Sequence, residues 1–115
     1  MERTVASVQG AYFLTTGLWP IFSIRTFMMI TGPKTDLWLV KTVGAVLAVI
    51  GAALLVAGIA DQVTQALVLL AVGSAAALAA VDVIYASRKV IAPVYLLDAV
   101  LEAALILWWV AALLL

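Results

Sequence analysis

Apolar residues run in four stretches, about 5–30, 37–60, 63–87 and 90–115, separated by short polar turns. Each exceeds the roughly 20 residues that a helix needs to cross the apolar layer of a bilayer. The turn Thr31-Gly32-Pro33-Lys34-Thr35-Asp36 stops the first helix with Gly and Pro and offers Thr35 or Asp36 to cap the second. Asp61-Gln62 is expected to cap the third, and Ser87-Arg88-Lys89 to break to a fourth whose first turn accommodates Pro93. Connections this short impose antiparallel neighbours. The expected fold is therefore an all-α integral membrane protein, one domain over 1–115, built as an up-down antiparallel four-helix transmembrane bundle.

Composition agrees. A chain of 115 residues that is 68% hydrophobic and 10% charged, with mean hydropathy +1.29, cannot hide its apolar surface in a soluble core of that size. Without Cys or His it has no disulfide framework and no protein ligand set for zinc, haem or iron–sulfur clusters, so no metal site or cofactor is expected. Net charge is zero with no Lys/Arg-rich tract, so nucleic acid is not an expected partner; the lipid bilayer is. Met1-Glu2-Arg3-Thr4 precedes an apolar stretch with no small-residue cleavage site, which reads as a retained first span.

Arg25, Lys34, Lys41, Arg88 and Lys89 gather at one end of the spans, against Arg3 alone at the other. The positive-inside rule then faces both termini outward from a cell (inner) membrane, with Trp38 and Tyr95 at the cytoplasmic ends and Trp108 and Trp109 toward the outside as interfacial anchors. Gly44, Gly51 and Gly58 recur every seven residues in the second span, as do Ala66, Gly73 and Ala80 in the third. Two such stripes suit a close contact between these spans. Pro20 predicts a kink in the first span, with the Thr16 hydroxyl available to its freed carbonyl.

Five ionisable residues inside the apolar stretches, Arg25, Lys41, Asp82, Asp98 and Glu102, supply the candidate chemistry. Unpaired at the centre of a membrane they cost about 3 kcal/mol each, so they must meet one another, water or a ligand. Counted along the helices, Arg25, Lys41, Asp82 and Asp98 fall at a similar depth, at about 1.5 Å per residue, and Glu102 falls nearer the midplane. Asp98 and Glu102, four apart, share a face with Tyr95, and Asp82 shares one with Tyr85. Two carboxylates so close in low dielectric repel, so the pair holds a proton unless Arg25 or Lys41 neutralises it. Gln9 and Tyr12 are expected to line an outer mouth. Asp82 lies on the side of its helix opposite Ala80 and Gly73, so polar and small faces diverge and a homo-oligomer is expected.

The expected site is thus Asp82, Asp98, Glu102, Arg25, Lys41, Tyr85 and Tyr95, a charged cavity near the cytoplasmic side that binds or transports a proton, a cation or a small polar or cationic solute. Two alternatives stand beside it: a membrane enzyme using Asp98 or Glu102 as general acid on a lipid or isoprenoid, and an accessory subunit with a static salt-bridge layer. Length and span number resemble those of the small multidrug-resistance transporters and the small fluoride channels. The resemblance is architectural: the first span has no Glu of the kind the former rely on, and the Gly-rich and Asn-containing motifs of the latter are absent.

Overall fold

Backbone hydrogen bonds cannot be left open in an apolar chain, so the long hydrophobic runs close them internally as helices. A computed structural model describes residues 1–115 as five helices and no strands: α1 Glu2–Phe22, α2 Ile24–Thr31, α3 Leu37–Ala60, α4 Gln65–Ser87 and α5 Tyr95–Leu114. Helices α3, α4 and α5 are each long and apolar enough to cross a membrane. Helix α1 qualifies only together with α2, and those two are bent by 114°.

The boundaries correct three expectations. The first stretch is not one kinked span: helical bonding passes Pro20, with Ser23 N–H still donating to Trp19 O at 2.9 Å, and breaks at Ser23 itself. The Pro20 ring is buried against Gly44 of α3. The helix after the second turn starts at Gln65 rather than 63, because Thr64, not Asp61, accepts from Leu67 N–H. Asp61 instead ends α3 in the left-handed region, φ 56°, and Gln62 N–H returns to Ala57 O at 2.8 Å. The last helix starts at Tyr95 rather than 90, because residues after Ser87 are spent on a second left-handed stop at Lys89, φ 61°, and on the turn holding Pro93.

Helix packing also departs from the expected pairing of the second and third apolar stretches. The Gly44, Gly51 and Gly58 stripe of α3 faces α1, which carries its own small residues at Gly10 and Gly17, while α3 scarcely touches α4. Antiparallel register sets Gly17 against Gly44 and Gly10 against Gly51. A Cβ at Gly51 would stand 2.7 Å from Gly10 O, and one at Gly17 would stand 2.6 Å from Ala48 N, so only glycine permits this approach. Gly73 of α4 has nothing within 4 Å of where a Cβ would be, and Ala66 and Ala80 are exposed with it.

Helices α4 and α5 pack on each other, and α5 lies against α1. The result is a slab of 42 × 28 × 18 Å whose core, Val5, Ala6, Phe13, Leu54, Ala71, Leu105, Trp109 and Ala112, is drawn from α1, α3, α4 and α5. Trp109 is fully buried there and Trp108 half-buried, so Trp109 is a core residue rather than an interfacial anchor; Trp38 is 70% exposed at the start of α3.

Candidate functional site

Three of the four helices that build the core, α1, α4 and α5, contribute polar groups to it. On α4 the inward face repeats as Ala71, Ala75 and Asp82, and on α5 as Ala99, Glu102, Leu105, Trp109 and Ala112, both at helical spacing. The opposite flank of α1 from its glycine stripe brings Gln9 and Tyr12. Small residues beside the acids let these helices come close enough for the polar groups to meet.

Two layers result. In the first, Gln9 is fully buried and joins three helices: its Nε2 donates to Ala71 O of α4 at 2.9 Å, and its Oε1 accepts from Trp109 Nε1 of α5 at 2.7 Å. In the second, the Tyr12 hydroxyl of α1 donates to Asp98 Oδ1 of α5. The Asp82 carboxyl of α4 neighbours Asp98. Ionised carboxylates are acceptors only, so these two could bond to each other only with a proton between them. Glu102 belongs to the same cluster, neighbouring Asp82 and Asp98.

What this cluster lacks is compensation. Glu102 is 0% exposed and Asp82 is 4% exposed, and Glu102 Oε1 and Oε2 and Asp82 Oδ2 have no hydrogen-bond partner. The only ion pair in the chain, Arg3 to Asp61 at 3.8 Å, is exposed at the far end of α1 and α3, where Arg3 also donates to the terminal carbonyls of Gly58 and Ile59. The acids do not converge as a metal-ligand set would. No known protein family, curated protein or solved structure matches this chain.

Of the residues predicted for the site, Asp82, Asp98 and Glu102 are brought together, and the other four are not placed with them. Arg25 is carried off by the bend at Ser23 and is exposed on α2, and Lys41 is exposed on α3; neither lies within ion-pair distance of a carboxylate. Equal depth therefore did not become contact. Tyr85 is 41% exposed, and Tyr95 lies under the Lys34 ammonium, 5.1 Å from its ring centre. The hydroxyl that reaches the acids belongs to Tyr12, which with Gln9 is interior rather than at an outer mouth. The available signal was their spacing of three, which puts the two long polar side chains on one face of the helix.

Two open clefts lie at opposite ends of the slab. One, about 460 Å³, is lined by Met1, Glu2, Arg3 and Asp61 among others, and one, about 370 Å³, by Thr31, Lys34, Lys89 and Pro93 among others. Neither is lined by Asp82, Asp98 or Glu102.

Proposed function

We propose that this chain is a four-crossing membrane protein, with α1, α3, α4 and α5 as the crossings, and that Asp82, Asp98 and Glu102 with Tyr12 form an intramembrane site that holds protons and gives them up to a cation or cationic solute. The observation that carries it is Glu102: a carboxyl group wholly buried among apolar helices, with both oxygens unpartnered and no cation at ion-pair distance. A charged carboxylate so placed costs about 3 kcal/mol in a membrane helix, so the group is neutral at rest or meets a positive ligand. A static salt-bridge layer would need cations that this cluster does not have.

Helix α1 supports a crossing despite its polar residues because they are satisfied: Ser7, Thr15 and Thr16 donate to carbonyls one turn back, at 2.7, 2.8 and 2.7 Å, and Gln9 is paired. The five-to-one distribution of cations faces both termini outward across a cell membrane. The exposed Ala66, Gly73 and Ala80 face is where a homo-oligomer would form.

Infrared titration of reconstituted protein tests the site. A protonated carboxyl band should persist near neutral pH, shrink in Glu102→Gln, and fall, with proton release into a weakly buffered medium, when tetraethylammonium or potassium is added at saturating concentration. Acids ionised throughout about pH 5 to about 8, with no proton release, would remove the reading. For orientation, single Cys residues at Lys34 and Lys89 should label only from the cytoplasmic side and one at Gln62 only from outside; the native chain has no Cys to interfere.

A further inference from the structure

The bend at Ser23 falls at a particular level. The 21 residues of α1 measure about 31 Å, which already matches the roughly 30 Å apolar thickness of a bilayer. The register that sets Gly17 against Gly44 and Gly10 against Gly51 continues to bring Ser23 level with Trp38, whose ring is 70% exposed at the start of α3. An exposed Trp at a helix end marks the headgroup boundary. From that level α2 leaves at 114° to α1, about 24° from the perpendicular, so its 8 residues run closer to the membrane plane than to the direction of α1.

One face of α2 is tied to the bundle. Trp19 meets the Phe27 ring edge-on at 5.3 Å, Trp19 Nε1 donates to Thr26 Oγ1 at 2.9 Å, and Thr31 is buried. Lys34 closes the end of the helix by donating to Thr31 O at 2.9 Å and Gly32 O at 3.2 Å. The free face carries Met29, 75% exposed, and Ile30, 57%, with Arg25 exposed beside them, and Phe22, 81% exposed, ends α1 just before the break. The same end of the slab holds Lys34, Lys41, Arg88 and Lys89, with Asp36 as the acid of its turns and Asp82 and Asp98 in the interior cluster, and the cleft lined by both Lys34 and Lys89 shows the two connections side by side.

We propose that α2 is a membrane-surface helix, lying in the headgroup region of an anionic leaflet with Met29 and Ile30, and Phe22 at the bend before it, dipped into the acyl boundary and Arg25 held among the phosphates. Two exposed apolar side chains on α2 and Phe22 at its entry, flanking a cation and beside four more, have the composition of an interfacial segment. The long Arg stem lies along apolar surface while its head reaches the phosphates. A second copy of this chain fits less well: across a two-fold axis Arg25 would meet its equivalent, and the face offers no carboxylate to separate them. The inference rests on the membrane reading above and is independent of the acid cluster.

The test uses the full chain in vesicles of phosphatidylcholine with or without phosphatidylglycerol, carrying one nitroxide at Phe22→Cys, Met29→Cys or Ile30→Cys. Collision with oxygen against a water-soluble nickel chelate should place all three labels at one shallow depth. Residues 22 and 30 of a crossing helix would differ by about 12 Å, and that result overturns the proposal. So do labels open to nickel, which mean a face in water or on a soluble partner, and dipolar broadening between labels, which means a second copy. Phosphatidylglycerol should draw the labels deeper in the native background and not in Arg25→Gln; no response in either overturns the anionic contact. Chain released from vesicles by alkali would overturn the membrane reading beneath it as well.

Discussion

The pair α1–α3 and the pair α4–α5 are built on opposite terms. Between α1 and α3 the backbones themselves meet, Gly10 on Gly51 and Gly17 on Gly44, and the contact has no room for a single added carbon. Between α4 and α5 the contact is looser, the facing residues are Ala, Leu and acids, and three buried carboxyl oxygens have no partner. One pair is defined by close packing and the other by unspent polar capacity. In lipid, where apolar surface gains nothing from leaving the solvent, dispersion contact of the first kind is what holds helices together. Groups of the second kind are tolerated where something else supplies the stability, and here α1 supplies it by touching both sides.

The sharpest way to break this contrast is to fill a glycine. Gly51→Ala drives a Cβ against Gly10 O and the Leu14 backbone, none of which can rotate away, and should cost about 1–3 kcal/mol. Unfolding in detergent followed by far-ultraviolet circular dichroism measures it; an unchanged midpoint would mean the two helices do not meet there. Next comes the bridge that joins the pairs. Gln9→Leu leaves Trp109 Nε1 without its acceptor in the core and should cost about 1–2 kcal/mol by the same assay, with a shift in indole fluorescence.

Within the acid cluster the expected effects are smaller on stability and larger on chemistry. Tyr12→Phe removes the donor to Asp98 and should cost about 1 kcal/mol while shifting a carboxyl band in the infrared. Asp82→Asn should be tolerated to within about 1 kcal/mol, because breaking a buried ion pair costs about 3–5 kcal/mol only where a cation is left behind, and Asp82 has none. A loss on that larger scale would restore the salt-bridge layer. The smallest effect belongs to Gly73→Ala, which meets nothing within 4 Å. It should leave the monomer's stability unchanged or raise it by up to about 1 kcal/mol. A marked loss of stability there, sensitive to dilution in detergent, would reveal a neighbouring copy on that face.

Much of the architecture is legible in the linear pattern because length and apolar content set the long helices directly. Neighbours are harder. The glycine stripe of α3 is visible in the sequence, but chain adjacency favours α4 as its partner, whereas closeness of approach decides for α1, whose Gly10 and Gly17 carry the same seven-residue period. Depth can be counted along a helix, and the count puts Asp82 and Asp98, which are neighbours, at one level. It says nothing about azimuth, so Arg25 and Lys41 share the count without sharing the place. The Ser23 break is hidden for a related reason: Pro20 is the conspicuous helix breaker, yet its ring is accommodated by the absence of a side chain at Gly44, and the chain turns three residues later.

The partnership of α1 with α3 also orders the birth of the molecule. Everything that pair needs, from Arg3 closing the end of α3 to the glycine ladder, has been synthesised by residue 61, before α4 exists. Folding as chain emerges then yields a finished hairpin that presents Gln9 and Tyr12 on its bare side, two polar groups whose partners at Ala71, Asp98 and Trp109 are still to be made. Until α4 and α5 arrive, those groups wait in an environment with nothing to bond. The later helices therefore dock onto a surface that is already marked for them, and the site closes as the last act of assembly.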